Sequence, residues 1–270
     1  MRKGTYLLLI SAFTALCIAV GCFLHIFRRM GSRVWGAYIK KGDSLEEVRE
    51  IEVDADLLSL EISGGGEGYA YQYEGYEKLL PELSLKDGVL RVSQETEEET
   101  RTYFSKPRRR QKLRISLPED AGLSRVDIEA DLGNVEIRSL KSENFSADLD
   151  MGNLEITDSS LGETRISCDM GNVKGRGLLF QSLFADLDMG NLDLEARQRL
   201  DDFKIDASAQ LGLLEIDGRA RGGEFHQDGK KGKIHLECSM GRIRLSGESA
   251  AEEGETKNEK TAKRCSTTLR

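Results

Sequence analysis

The 270-residue sequence is poor in proline and aromatic residues, with 3 prolines, 1 tryptophan and 6% aromatic residues in total. Only 39% of its residues are hydrophobic, which is low for a compact globular protein. Glycine and charged residues are plentiful instead, at 28 glycines and a charged fraction of 32%. This composition favours many short strands joined by tight bends over a few large packed layers.

The sequence also lacks a basic excess, since its formal net charge is −8. Nucleic-acid binding needs clustered basic residues to neutralise phosphates, so we expect no nucleic-acid partner. The five cysteines form no C-x-x-C motif, and the three histidines lie apart along the chain without a carboxylate–histidine pattern. The sequence therefore predicts no enzyme, no cofactor and no histidine–cysteine metal centre.

Long hydrophobic stretches are absent except at the N-terminus. Residues 6–27 contain no charged residue, and a helix of that length rises about 1.5 Å per residue, enough to cross the bilayer hydrocarbon. We predict a transmembrane helix at 6–27, after a flank at 1–5 and before a linker at 28–50. The alternative is a lipoprotein cleaved before a lipidated Cys22, because Ala19-Val20-Gly21-Cys22 loosely resembles a lipobox.

Basic residues lie on both sides of this helix. Arg2, Lys3 and the α-amino group precede it, and five basic residues follow it within a short distance: Arg28, Arg29, Arg33, Lys40 and Lys41. By the positive-inside rule, this charge count alone places the rest of the chain in the cytoplasm.

The clearest pattern is an Asp-Leu/Met-Gly-Asn motif that returns at a fixed interval. Its glycines, Gly133, Gly152, Gly171 and Gly190, are 19 residues apart, and decayed copies follow at Gly212 and Gly241. Hydrophobic residues alternate up to each glycine and resume after it with their phase shifted by one. We predict that each glycine forms a corner between two strands, because a side chain there would clash or require a positive φ.

One such unit cannot bury its own apolar face, so successive units must stack. The predicted fold is all-β, a β-solenoid or elongated β-sandwich of 19-residue repeats over residues 119–247, preceded by an N-terminal β-strand region at 51–118. Residues 248–270, rich in Glu, Lys, Thr and Ala, are predicted to be a disordered tail.

The repeat also predicts side-chain ladders. We interpret the methionines as core packing, and the asparagines as turn residues that hydrogen-bond their stacked neighbours. The aspartates form carboxylates about 5 Å apart that are solvated, bonded to amides or bridged by a cation; they are the only metal candidates. Cys168 and Cys238 fall on the inward face. The ladders comprise Met151, Met170, Met189 and Met240; Asn134, Asn153, Asn172 and Asn191; and Asp131, Asp150, Asp169 and Asp188.

Two features of the N-terminal β region stand out. Lys86-Asp87-Gly88 is typical of a hairpin turn. A basic segment containing Arg108, Arg109, Arg110 and Lys112 follows an acidic run, which favours a solvated loop of balanced charge. The alternative is docking onto lipid headgroups or an anionic envelope polymer.

The order of segments resembles a known family. IEVDADLLSLEIS, PELSLKDGVLRVSQ and LRISLPEDAGLSRVDIEADLGNVEI are followed by glycine-cornered repeats, a series similar to the bacterial "putative adhesin" β-strand-repeat family, domain of unknown function 4097. The resemblance covers roughly 51–247. It implies one N-terminal transmembrane helix, a β-repeat domain and a bacterial envelope setting, and it carries no catalytic residues. On this basis we expect the β domain to be extracytoplasmic despite the charge count.

The predicted function is a non-catalytic, single-pass membrane protein of the cell envelope, with adhesin-like binding or an accessory role in envelope stress. Its expected partners are the membrane, an envelope polymer or a membrane protein. The contrasting hypothesis is a carbohydrate-active β-helix enzyme, although the outward carboxylates repeat evenly instead of converging at one place. A third hypothesis is a scaffold that assembles through an exposed end strand.

Overall fold

The computed structural model describes residues 36–95 and 110–248. These residues form fourteen strands in one connected sheet and a single short 3-10 helix at Glu77–Leu79. None of the helical structure in these two ranges is long and apolar enough to cross a membrane. The predicted helix at 6–27 and the tail from 249 onward lie outside the described residues, as do Cys17, Cys22 and Cys265.

The strands fall into short ones at both ends of the stack and long ones in the repeats. In chain order they are β1 Tyr38–Ser44, β2 Glu50–Ala55, β3 Ser59–Gly66, β4 Ala70–Tyr76, β5 Glu82–Lys86, β6 Val89–Gln94, β7 Lys112–Pro118, β8 Leu123–Arg138, β9 Lys141–Thr157, β10 Ser160–Ala196, β11 Lys204–Ile216, β12 Arg219–Arg221, β13 Glu224–Gln227 and β14 Lys233–Ser246.

Each repeat is a long strand bent at its glycine, so the stack has two faces that share one corner. In β8, residues before Gly133 pair with β2 and residues after it pair with β3. The same parallel register continues from β8 to β9 and from β9 to the first half of β10. The all-β, repeat-stacked architecture predicted from the sequence is confirmed.

The six corner glycines form one column, but their order in space differs from their order in the sequence. Gly133, Gly152, Gly171 and Gly190 follow one another, and Gly190 is followed by Gly241 and then Gly212. Strand β14 therefore lies between β10 and β11 and pairs in parallel with both.

The glycine requirement at these corners is mainly steric. A Cβ at Gly152 would lie less than 3.0 Å from the carbonyl oxygen of Gly133, and each later glycine in the column meets the carbonyl of its neighbour in the same way. Only Gly190 and Gly241 in this column also have a positive φ, of 151° and 150°. Close backbone approach between stacked repeats thus explains the regular spacing of glycine along this chain.

A second corner, which the sequence reasoning missed, closes the first three repeats on the opposite side. Ser139, Asp158 and Gly177 have φ values of 52°, 49° and 64° and are again 19 residues apart. Serine and aspartate are less distinctive signals of a left-handed backbone than glycine, although aspartate tolerates it well.

The N-terminal β region belongs to the same stack. Strands β2 and β3 pair with the two halves of β8, while β6 and β7 pair with β2 and β3 respectively. The hairpin turn at Asp87-Gly88 is confirmed, with both residues at positive φ between β5 and β6. Residues 38–44, assigned to the linker from sequence, instead form β1, because they pair with β4.

Antiparallel strands cover both ends of the parallel stack. At the N-terminal end β5 pairs with β6, β4 pairs with β7, and β1 pairs with β4. At the other end β12 and β13 pair with the two halves of β11. Short antiparallel edges of this kind limit further strand addition, which disfavours end-to-end assembly as the main role of the stack.

The core lies between the two faces. Phe145, Ala147 and Leu149 point inward before the corner of β9, and Leu154 and Ile156 point inward after it. Cys168 and Cys238 are buried in this core as predicted, each 1% exposed. Burial raises the pKa of the Cys168 thiol to about 11 and also raises that of Cys238, so both remain protonated at neutral pH.

Candidate docking ridge and acidic face

The methionine ladder lies outside the core, so its interpretation as core packing was wrong. Met151, Met170 and Met189 are 42–43% exposed. The inward positions are Leu149 and Leu154, and the chain between them turns outward around the corner. Side chains on the convex side of the bend have no core to enter, and the one-residue phase shift was the available signal for this.

These methionines belong to a longer apolar ridge. Leu132, Met151 and Met170 are followed by Met189, Met240 and Leu211 in neighbouring repeats, with Leu213 beside the last. Every exposed large hydrophobic side chain in residues 36–95 and 110–248 lies on this ridge. At about 4.8 Å per strand, its six repeats extend for roughly 24 Å.

One face of the stack beside the ridge is densely acidic. The predicted aspartate ladder lies next to the ridge, with Asp150, Asp169 and Asp188 exposed. A second row runs parallel to it, two residues earlier in each strand. Its carboxylates are Glu129, Asp148, Asp186 and Glu237. We call these two rows the acidic face; neither contains a lysine or arginine in the repeats β8 to β11 and β14.

Crowding of these carboxylates is visible at Asp186. Partial burial and the nearby charges of Glu237 and Asp188 raise its pKa above the usual value. Like charges about 5 Å apart repel each other by roughly 1 kcal/mol even in water. A ligand with positive charges would relieve this repulsion.

The asparagine ladder on the other side of the ridge is confirmed. The Nδ2 of Asn153 donates to Oδ1 of Asn134 at 2.9 Å, and Asn172 and Asn191 continue the series at 2.9 and 2.8 Å. The ladder ends where Arg242 and Leu213 replace asparagine. These bonds hold the repeats in register beside the ridge.

The predicted basic docking segment is only partly described. Arg108 and Arg109 lie outside the described residues, and Arg110 is exposed. Lys112 is engaged by an ion pair, since its Nζ lies 2.6 Å from Glu61 Oε2. Burial alone would raise the pKa of Glu61, but Lys112 and Arg114 outweigh it and lower that pKa. Lys112 therefore has a structural partner within the sheet.

The histidines correct another sequence expectation, because two of them do contact carboxylates. His226 Nδ1 lies 2.5 Å from Asp206 Oδ1, and His235 Nε2 lies 3.2 Å from Glu237. Antiparallel β13 brings His226 opposite Asp206, whose other neighbour is His235. The bond from His226 lowers the pKa of Asp206. Pairing across distant strands created these contacts, which sequence spacing does not show.

In the part of the chain that the structure describes, no three His, Cys, Asp or Glu residues converge in a way that could hold a metal ion. The aspartate ladder is instead an even row on an open surface. The ridge and acidic face thus offer a linear surface of apolar side chains beside carboxylates, which lacks the carboxylates only in the β11 repeat, where Ser208 and Gln210 stand.

Comparison with known proteins relates the chain to one family. Residues 48–263 match the family described as Toastrack DUF4097. No curated protein matches the chain.

Solved structures with similarity include a "putative cell adhesion protein" from Clostridium sporogenes ATCC 15579, with 12% identity, a TM-score of 0.48 and coverage of 78% of this chain and 100% of that one. A "putative adhesin" from Bacteroides fragilis NCTC 9343 has 16% identity, a TM-score of 0.43 and coverage of 78% and 97%. A "putative lipid binding protein" from Parabacteroides distasonis ATCC 8503 has 11% identity, a TM-score of 0.29 and coverage of 79% and 98%.

Identities and TM-scores this low do not bear on function. The family match spans most of the sequence, from β2 through β14, and it includes every corner glycine of the repeat column. The chain therefore belongs to the Toastrack DUF4097 family.

Proposed function

We propose that this protein is a non-catalytic binding module of the bacterial cell envelope, held at the membrane by residues 6–27. Its ligand surface is the ridge together with the acidic face. The observation that carries this proposal is the gathering of the exposed large hydrophobic side chains of the described residues onto one ridge beside two carboxylate rows. Exposed apolar patches rimmed by polar residues are typical of interaction sites.

The occupant that fits this surface is a polypeptide segment with apolar and basic side chains. The apolar side chains would pack on Met151, Met170 and Met189, and the basic ones would meet the aspartates beside them. An anionic membrane surface fits poorly, because its headgroups would be repelled by the acidic face. A ridge of methionines also adapts to side chains of different shape, since methionine is flexible and polarizable.

A defined peptide tests this binding chemistry. We expect the chain, purified in detergent, to bind a short peptide that alternates leucine and lysine. Two control peptides, one alternating leucine with glutamate and one alternating serine with lysine, should bind with at least about tenfold lower affinity. The ridge variant Met151→Gln, Met170→Gln, Met189→Gln should lose affinity for the leucine–lysine peptide. The matched control is Glu155→Gln, an exposed substitution on the other face of the stack. Equal affinity of wild type and ridge variant would leave only non-specific charge attraction and would overturn the proposal.

The membrane setting has its own test. The protein should resist alkaline extraction from membranes, and an impermeant thiol reagent applied to intact cells should label it at Cys265, because Cys168 and Cys238 are buried. A Cys265→Ser variant should abolish that labelling. Labelling only after cell lysis would place the β domain in the cytoplasm and contradict an envelope role.

A further inference from the structure

A groove on the same face as the two acidic rows, but farther from the ridge, has a different chemistry. Its volume is about 430 Å³, within the range of roughly 300–1,000 Å³ usual for small-molecule sites. Polar side chains line it together with Phe184 and the buried Val126 and Phe145. We call it the Phe184 groove; its outward-facing residues are Arg125, Asn144, Ser146, Glu163, Arg165, Ser182 and Phe184.

Phe184 stands out because the equivalent outward positions of the other repeats carry polar or charged side chains. In its row the neighbouring repeats carry Ser146, Arg165 and His235. Phe184 is partly exposed, and two cations approach its ring: Arg165 Cζ lies 5.8 Å and Lys233 Nζ 5.3 Å from the centroid. A cation near an exposed ring contributes only about 0.5–1 kcal/mol, so these contacts leave the cations available to a ligand.

The charge of Lys233 contributes to lowering the pKa of Asp206, but neither cation is within ion-pair distance of a carboxylate in the described residues. Arg125 pairs with Asp127, whereas neither Arg165 nor Lys233 forms an ion pair there. Several other outward-facing cations do form ion pairs, as Lys112 does with Glu61. Two unpaired cations beside a partly exposed aromatic ring provide an anion-binding position.

The rest of the groove suits hydroxyl groups. Asn144, Ser146 and Ser182 offer amide and hydroxyl donors and acceptors, and the exposed Glu163 accepts only. The negative face of an aromatic ring also attracts the polarised C–H groups on the apolar side of a sugar ring. The Phe184 ring, the hydroxyl partners and Arg165 therefore lie in one groove, and Lys233 lies beside the same ring.

We propose that the Phe184 groove binds an anionic sugar unit, with the sugar ring against Phe184 and its acidic group between Arg165 and Lys233. The acidic group is a carboxylate or a phosphate on an envelope glycan. This site is separate from the ridge and does not depend on the polypeptide partner proposed above. It gives the module a second ligand of opposite charge to the first.

Calorimetric titration of the full chain in detergent tests the proposal with three probes: an oligomer of galacturonic acid, a neutral oligosaccharide of the same length and a glycerol-phosphate oligomer. We expect the galacturonate oligomer to bind with at least about tenfold higher affinity than the neutral one. Arg165→Gln and Phe184→Leu should each weaken that binding by about fivefold or more, while Arg176→Gln, an exposed arginine on the other face, should leave it unchanged.

Three other outcomes would overturn the proposal, once the variants are shown to be folded. Unfolding midpoints equal to wild type establish that the variants are folded, and Phe184→Leu retains an apolar side chain for that purpose. Binding of glycerol phosphate as tight as galacturonate and insensitive to Phe184→Leu would reduce the groove to a simple anion site. If neither anionic oligomer binds, or if Arg176→Gln loses as much affinity for the galacturonate oligomer as Arg165→Gln does, the groove is not a sugar site. The leucine–lysine peptide titration remains independent of every one of these results.

Discussion

The corner glycines are the residues on which stacking depends most directly. A methyl group at Gly152 would overlap the carbonyl of Gly133, and both backbones are fixed by strand pairing on either side. We expect Gly152→Ala to lower the free energy of unfolding by roughly 2 kcal/mol or more, as overpacking of a rigid site does. Urea denaturation measures this change.

Gly122 provides the matched control, because a Cβ there meets no atom within 4 Å and its φ is not positive. Gly122→Ala should change stability by no more than about 0.5 kcal/mol. Equal destabilisation by the two substitutions would show that the corner column tolerates side chains and that close backbone approach is not the reason for its glycines.

At the same scale, local spacing predicted more than side-chain environment did. The intervals of 19 residues located the corners and the asparagine ladder, because both depend on register alone. The direction of Met151 depended on the shape of the bend, which the alternation marks only through its one-residue phase shift. The contact between His226 and Asp206 depended on an antiparallel pairing that spacing cannot reveal.

Among the elements, β14 has the least expected position. It is the last described strand, yet it separates β10 from β11. The interval of 29 residues between Gly212 and Gly241 contains β12 and β13, which pair with the outer edge of β11 and return the chain to its inner edge. The long interval was therefore the one signal that β14 precedes β11 in the stack. From the sequence alone, the same interval is explained equally well by an insertion between repeats that stack in sequence order.

This position predicts a specific effect of truncation. A chain that ends at Asp228 lacks β14, so β11 loses its parallel partner, and we expect its backbone amides to exchange rapidly with deuterium. Strands β8 and β9 should keep their protection, since stacked repeats interact mainly with their neighbours. A chain that ends at Glu248 is the control. Retained protection of β11 without β14 would contradict the observed order of strands.

At the scale of the whole molecule, the N-terminal β region and the repeat region predicted from the sequence form one continuous stack. The segment between β2 and β3 lacks a corner glycine, so the sequence did not predict that these two strands form a repeat unit around Leu58. Strand β1 could not be assigned either, because it has few apolar residues and its pairing with β4 sets its conformation.

The complete stack presents the ridge with its acidic face and, separately, the Phe184 groove. The central proposal is that the ridge is a docking surface in the cell. Methionine oxidation measures this directly, because thioether oxidation follows exposure. In the purified chain, a mild oxidant should convert Met151, Met170, Met189 and Met240 to sulfoxides at similar rates, as their similar exposure of 42–46% requires. In native membranes, a bound partner should slow that oxidation by about fivefold or more, and high salt should restore it by screening the acidic face. Equal oxidation of the ridge in purified protein and in native membranes, at low and high salt alike, would contradict the account.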